Sequence, residues 1–305
     1  MARIREQFQD YIHALQDEIC TAMEQVDGKA KFQEDHWKRP GGGGGRSRVL
    51  QKGGLLEKAG VSTSVVHGPM PESLKEKMNT EGQDFFACGL SLVIHPESPL
   101  IPTVHANYRY FEMYDEEGRQ LDGWFGGGTD LTPYYLDKAD ARHFHNCQKA
   151  HAEPHGKNLY PAYKKQCDDY FWNHHRGEAR GVGGTFYDYR KADGERQLED
   201  WMAFNMDMGR SFLPGYLPIV EKHAAESYSE EQRYWQELRR GRYVEFNLVH
   251  DRGTLFGLQT KGRTESILMS LPPRVRWDYN YQPPEGSPEQ ELVAVLQNPR
   301  AWADG

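Results

Sequence analysis

Apolar residues recur at helical spacing through residues 3–26, where Ile4, Phe8, Tyr11, Ile12, Leu15, Ile19, Met23 and Val26 are separated by charged positions. That spacing predicts an amphipathic packing helix. Residues 90–94 read as a strand ending at His95, followed by a loop punctuated by Pro96, Pro99 and Pro102. Through residues 103–111 the pattern changes to period two. Val104, Ala106, Tyr108 and Tyr110 alternate with Thr103, His105, Asn107, Arg109 and Phe111. Such a strand buries one apolar and aromatic face and puts His105, Asn107 and Arg109 together on the other. Solvated strand faces usually carry Lys, Glu and Thr, so this trio points to chemistry.

Residues 121–125 read as another strand, running into a loop of Gly126-Gly127-Gly128-Thr129-Asp130. Residues 137–151, 158–176 and 218–239 read as helices, and Gly183-Gly184 introduces a strand, TFYDYR. Residues 243–249 and 254–259 predict a hairpin around His250-Asp251-Arg252-Gly253. Near the end, Ser287-Pro288-Glu289-Gln290 is a capping box with proline at the first helical position. The run Gly41 to Gly45 is flanked by Trp37 and by the apolar stretch VLQKGGLLEKAGV. It fits an ordered loop near a site as well as a flexible linker. Together these elements predict an α+β fold around an antiparallel sheet, in a single domain.

The chain has 305 residues with net charge −8, so no basic excess draws it to nucleic acid. No apolar run approaches the roughly 20 residues of a spanning helix. The opening MARIREQFQDYIHALQDEI has no apolar signal region, and a cytoplasmic protein is expected. Cys20, Cys88, Cys147 and Cys167 are scattered without a CxxC pair, which argues against a disulfide framework or a cysteine-held zinc or iron–sulfur site. GxGxxG after a strand, GxxxxGK[ST], GxSxG and HExxH are all absent.

Five longer segments carry more information. They are EDHWKRPGGGGGRSRVL (34–50), SLVIHPESPLIPTVHANYRYFE (91–112), WFGGGTDLTPYY (124–135), HHRGEARGVGGTFYD (174–188) and GRYVEFNLVHDRGTLFGLQTKGRTESILMSLPPRVRWDY (241–279). Together they resemble the oxygen-dependent coproporphyrinogen III oxidases. The resemblance implies a large flat antiparallel sheet sandwiched between helices, and a homodimer. It implies coproporphyrinogen III as substrate, O2 as co-substrate, no organic cofactor, and protoporphyrinogen IX with carbon dioxide as products. An anaerobic enzyme for the same conversion needs closely spaced cysteines for a cluster, and this chain has none.

A tetrapyrrole bearing four propionates is apolar in the middle and anionic at its rim, so its pocket needs aromatic walls and arginines that grip carboxylates bidentately. Arg109 and Arg263 suit the propionates, with Ser91 and Asn107 adding hydrogen bonds. Tyr108, Lys261 and Gly262 complete the implied substrate set, Lys261-Gly262-Arg263 standing where bacterial relatives usually carry Gly-Gly-Arg. Asp130 suits a pyrrole N–H and could help deprotonate it, and the resemblance makes His105 a proton donor. His95, His105, His145 and His175 are the positions where relatives are proposed to bind a divalent metal. The apolar segment from 243 to Trp277 predicts the two-fold contact. Two rival readings are a porphyrin-binding protein without catalysis, which would need neither Asp130 nor His105, and a metal-dependent dioxygenase with a histidine cluster.

Overall fold

The structure is a computed structural model that describes residues 3–259 and 262–304. Its first helix, α1 (Ile4–Asp27), buries Phe8, Ile12, Leu15, Ile19 and Met23 as the periodicity predicts. It stops at Gly28, whose φ of 67° is open to glycine at no steric cost. Asp27 then accepts backbone N–H groups of Ala30, Gly54, Leu55 and Leu56 at 2.8–3.0 Å, which locks the helix end to a turn of the sheet.

Strands β1 (Gln33–Lys38), β2 (Gly43–Gln51) and β3 (Leu56–Pro69) come next, then the short helix α2 (Glu72–Met78). They are followed by β4 (Asp84–Pro96), β5 (Thr103–Tyr114) and β6 (Gln120–Thr132). Helices α3 (Lys138–Ala152) and α4 (Leu159–Tyr170) lead into a small ribbon of β7 (Trp172–Asn173) and β8 (Glu178–Ala179), and then to β9 (Gly183–Arg190). The remainder is helical: α5 (Leu198–Arg210), α6 (Phe212–His223), α7 (Glu230–Val249), α8 (Arg252–Gln259), α9 (Thr264–Leu268) and α10 (Pro288–Gln297). Seven strands form one sheet in the order β1-β2-β3-β4-β5-β6-β9, and every pairing is antiparallel. The α+β expectation holds.

The two edges are managed differently. Strand β1 carries exposed Glu34, Asp35 and Lys38, charges that discourage pairing with another chain. Strand β9 is covered by α4, with Tyr163 packed on Tyr187 at 5.1 Å.

The two faces differ as well. On one, α1 and α5 pack over Leu90, Leu92, Val104, Ala106, Tyr108, Tyr110 and Phe125, which are all buried. The other face carries Ser91, His105, Asn107 and Arg109. Residues of α2 pack at one end of it against Phe85, Phe111 and Met113. At the other end, Met269 and Ser266 reach Ser62 and Ser47 at 3.3 and 3.1 Å. Helix α7 is fastened beside this end by buried ion pairs. Arg240 donates to Glu57 at 2.6 Å and to the Pro96 carbonyl at 2.7 Å, and Arg233 donates to both oxygens of Glu57 at 2.8 Å.

Several sequence expectations need correction. Residues 243–259 are not a hairpin but the end of α7 and all of α8. The run YVEFNLV is compatible with either period, and its buried set, Tyr243, Val244, Phe246 and Asn247, is helical. Gly241 sits inside this helix because a Cβ there would lie 2.6 Å from the Arg276 carbonyl. The helix expected over 218–239 is two helices, the second starting after Ser229, whose hydroxyl caps the N–H of Gln232. The helix expected over 158–176 ends at Tyr170. Gly126 to Asp130 are strand residues of β6, not a loop. The glycine run at 41–45 is an ordered turn leading into β2, where a Cβ on Gly45 would fall 2.4 Å from the Trp37 ring.

Candidate active site

Pairing of β5 with β6 sets His105 opposite Asp130, Asn107 opposite Gly128 and Arg109 opposite Gly126. Pairing of β4 with β5 sets Ser91 opposite Asn107. Directly opposed residues share a face, so Ser91, His105, Asn107, Arg109 and Asp130 come together as expected. Tyr108 does not join them. Alternation turns it to the helix-covered face, where it is fully buried and its hydroxyl lies 2.5 Å from Thr129 Oγ1 and 3.1 Å from the Met208 carbonyl.

His105 donates through Nδ1 to Asp130 at 2.8 Å, and its ring meets Phe171 edge-on at 5.9 Å. Its side chain remains 23% exposed, whereas that of Asp130 is 2% exposed. Asp130 is therefore a buried carboxylate, and burial requires compensation. The compensation is Arg180, whose Nη2 donates to both Asp130 oxygens at 2.9 and 2.8 Å. Arg180 Nη1 donates to Asn247 at 2.8 Å. The guanidinium lies over the rings of Phe171, Tyr243 and Phe246 at 4.0, 4.7 and 5.0 Å. Burial alone would raise the Asp130 carboxyl, but Arg180 and then His105 outweigh it and hold the group below its ordinary value.

Arg109 is placed otherwise. Its Nη1 donates to Asn107 at 2.8 Å and its Nη2 pairs with Asp188 at 2.9 Å. Around this pair the sheet is bare backbone. A Cβ on Gly126 would lie 2.7 Å from the Asp188 carboxylate and 2.9 Å from Arg109 Nε, and one on Gly89 would lie 3.1 Å from Arg109 Cβ. The glycines that the sequence suggested as a loop thus make a flat floor for a guanidinium and its partner.

Arg263 lies on the same face but far across it. It pairs with Asp35 on β1, and Ser266, three residues on, touches Ser47. Asp35, Ser47, Ser62, Ser91 and Asn107 lie in one register row, so roughly 19 Å separates Asp35 from Asn107, four strand spacings. Gly262 donates its N–H to Gly257 at 2.8 Å. Lys261 lies outside the described residues.

The four histidines do not converge. His95 is fully buried, its Nε2 donating to the Ser270 carbonyl at 2.8 Å and its Nδ1 meeting Thr103 at 3.1 Å. His145 is fully buried between the Tyr160 hydroxyl and the Val182 carbonyl. Burial first, with Arg240 second, holds His95 well below its ordinary value, and burial with Lys164 pushes His145 down to about 3. Both are neutral at pH 7 with the ring lone pair already occupied. His175 lies at the surface between Glu245 and His250. This donor set does not fit one metal ion. Among the described residues one acidic group could hold a cation, Asp137 with Asp140 and His223, but the Lys222 ammonium already bridges its two carboxylates at 2.6 and 2.7 Å.

A concavity of about 850 Å³ lies on the opposite face and includes Arg5, His36 and Arg46. Two of its cations are paired within the chain, Arg46 with Asp17 and Arg5 with Glu112. The candidate residues lie on the other face of the sheet. Sequence reasoning missed Arg180, Asp188 and Asn247. The first two sit in the quoted segment HHRGEARGVGGTFYD, and the available signal was the need of a buried carboxylate for a counterion.

A family model described as coproporphyrinogen III oxidase matches residues 7–302. The chain is 48% identical over 309 residues to a soybean (Glycine max) protein named oxygen-dependent coproporphyrinogen-III oxidase, chloroplastic, covering 98% of this chain and 80% of that one. It is 50% identical over 297 residues to the human (Homo sapiens) oxygen-dependent coproporphyrinogen-III oxidase, mitochondrial, covering 94% of this chain and 64% of that one. The organelles in these names are those of the relatives, whereas the sequence reading expects a cytoplasmic protein. No helix among the described residues is long and apolar enough to cross a membrane.

Proposed function

The chain belongs to the coproporphyrinogen III oxidase family, and from that premise we propose that it converts two propionates of coproporphyrinogen III to vinyl groups with O2, using His105 for proton transfer and Arg109 to hold a carboxylate. The observation that carries this assignment is that His105, held at 2.8 Å by Asp130, shares a sheet face with Arg109.

The balance of each step defines what the residues must do. A propionate R–CH2–CH2–COO⁻ with O2 and one proton gives R–CH=CH2, CO2 and H2O2. The bond to the carboxylate breaks, a hydride equivalent leaves the ring-side carbon, and O2 takes both electrons. One proton must be delivered. With Nδ1–H bound to Asp130, the other imidazole nitrogen of His105 is the one left to exchange it on the open face. Arg109 fixes the reacting carboxylate bidentately, and Asn107 fixes the guanidinium. Ser91 adds a hydroxyl in the same row, and Arg263 supplies a second cation for a propionate on the far side of the macrocycle.

Asp130 takes a different role from the pyrrole base expected of it. Both its oxygens are engaged by Arg180, so it is a poor proton acceptor and serves to orient His105. No step is routed through a metal. Homodimer formation belongs to the same reading. Among the described residues, Leu248, Val249, Leu258, Trp277 and Tyr279 are five of eight large hydrophobics left exposed, and they fall in or beside the 243–277 segment. A particle of monomer mass by light scattering at micromolar concentration would remove that contact.

The direct test is oxygen uptake with coproporphyrinogen III. His105→Asn should retain substrate binding and lose turnover by about 10²–10⁴-fold. Near wild-type uptake in that variant would end the assignment.

A further inference from the structure

We propose that Asp188 is a stand-in for the substrate's carboxylate, occupying Arg109 in the empty enzyme and giving way when a propionate binds. The inference rests on the reading of Arg109 as a carboxylate site and deepens it by adding a residue that sets affinity.

Three features of the local structure support it. The first is the pairing itself. Asp188 Oδ2 lies 2.9 Å from Arg109 Nη2, the position a bound carboxylate would take. The second is exposure. The side chains are 36% and 21% exposed, so the pair sits where solvent and substrate reach it. Exchange of one carboxylate for another there costs little, because half-exposed ion pairs are weak.

The third is the backbone. The register between β6 and β9 slips at this point, with Phe125 opposite Arg190 but Gly127 opposite Tyr187. Asp188 and Tyr189 together therefore oppose the single residue Gly126, a β-bulge. Tyr189 has a φ of 54°, in the left-handed region that a bulky side chain rarely adopts. Its N–H is held by Asp188 Oδ1 at 3.0 Å. A bulge re-aims a side chain, and this one swings Asp188 over Gly126 onto Arg109. The Oδ1 bond anchors the carboxylate while Oδ2 is exchangeable.

An internal competitor makes a definite prediction about sign. Removing it should tighten binding of a carboxylate ligand. A residue that merely props Arg109 in place would, when removed, loosen binding. The test uses the oxidised porphyrin, coproporphyrin III, which is fluorescent and keeps all four carboxylates, titrated into full-length protein. Asp188→Asn keeps the shape and the Tyr189 contact, and Asp188→Ala removes the side chain. Both should tighten Kd by roughly two- to fivefold, the range expected for a half-exposed ion pair. Loss of a negative charge could attract an anion non-specifically, so the same substitution is repeated in Arg109→Ala. There it should change Kd by less than its effect alone. Tightening that persists undiminished without Arg109 would overturn the proposal, as would weaker binding in both Asp188 variants. The outcomes separate the two readings. If Arg109→Ala itself leaves Kd unchanged, the carboxylate site falls and this inference with it. If Arg109→Ala weakens binding but neither Asp188 variant tightens it, only the stand-in is lost.

Discussion

Two arginine–aspartate pairs lie on one face of one sheet, and they differ in nearly everything except chemistry. Arg180 and Asp130 have side chains 2% exposed and are joined by two hydrogen bonds, with three aromatic rings packed on the guanidinium. Arg109 and Asp188 are 36% and 21% exposed, and the sheet beneath them is glycine. A sealed pair is held by the cost of separating it, since either partner alone would be a buried unpaired charge. An open pair is held weakly and can trade partners with a ligand. The first is suited to fixing a catalytic group in place and the second to catching a substrate.

The sharpest way to break this comparison is Arg180→Ala. It strands Asp130 without its counterion, and about 3–5 kcal/mol of stability should go with it, together with activity. Thermal unfolding measures the first. A melting temperature within a degree or two of wild type would mean that the pair is not sealed, and the contrast with Arg109 would collapse. Asp130→Asn comes next. Turnover should fall by about 10²–10⁴-fold as His105 loses its orienting partner. Stability should fall as well, because Arg180 is then left buried against a neutral amide. Near-normal turnover would show that His105 does not depend on Asp130.

Arg109→Ala should behave in the opposite way. Its melting temperature should stay within a few degrees, because a half-exposed pair contributes at most about 1 kcal/mol. Its KM for coproporphyrinogen III should rise by roughly 10- to 100-fold, as expected when a charged hydrogen bond is lost, with kcat also falling because the carboxylate is no longer aligned. A variant that binds normally but melts early would reverse the roles given to the two pairs.

Arg109 and Asp130, one member of each pair, were legible in the chain. Period-two alternation alone placed His105, Asn107 and Arg109 on one face, because a strand that covers a core must alternate. Their partners Arg180 and Asp188 were not. Arg180 follows a two-stranded ribbon and reaches Asp130 only because α7 is fastened beside the sheet by Arg233 and Arg240, long-range packing that no local pattern encodes. Gly241 hid the last turns of α7, since a glycine and an apolar run read as readily as a hairpin, while its actual reason lies in the Arg276 carbonyl against it. Asp188 lies in the expected strand TFYDYR, but a bulge re-aims its side chain in a way that alternation does not show. The four-histidine metal site illustrates the same limit. Residue type fits a metal, but hydrogen bonds to Thr103, Ser270, Tyr160 and Val182 occupy His95 and His145.

The narrowest test, a change of about one proton in a pH slope, concerns acid. Asp130 is held below its ordinary value, so its contribution to stability is present above the unfolded carboxyl value near 4 and is lost only as pH falls through the lower folded value. It cannot make the protein sensitive at pH 5. His95, beside the sealed end, works in a higher window. Its folded value lies well below 6.5, chiefly through burial and then Arg240, so below pH 6.5 the unfolded chain takes up a proton that the folded protein refuses. Stability should therefore fall with acid from pH 6.5 downward, at about 1.4 kcal/mol per pH unit for each such histidine. His145, pushed down to about 3, adds a second contribution over the same window. Denaturant midpoints measured between pH 7 and pH 4.5 give the slope. His95→Gln, which can keep the bond to the Ser270 carbonyl, should flatten that slope by about one proton even if it lowers stability at pH 7. An unchanged slope in His95→Gln would mean that His95 is charged in the folded protein, and the end of the face called sealed would then be open to water.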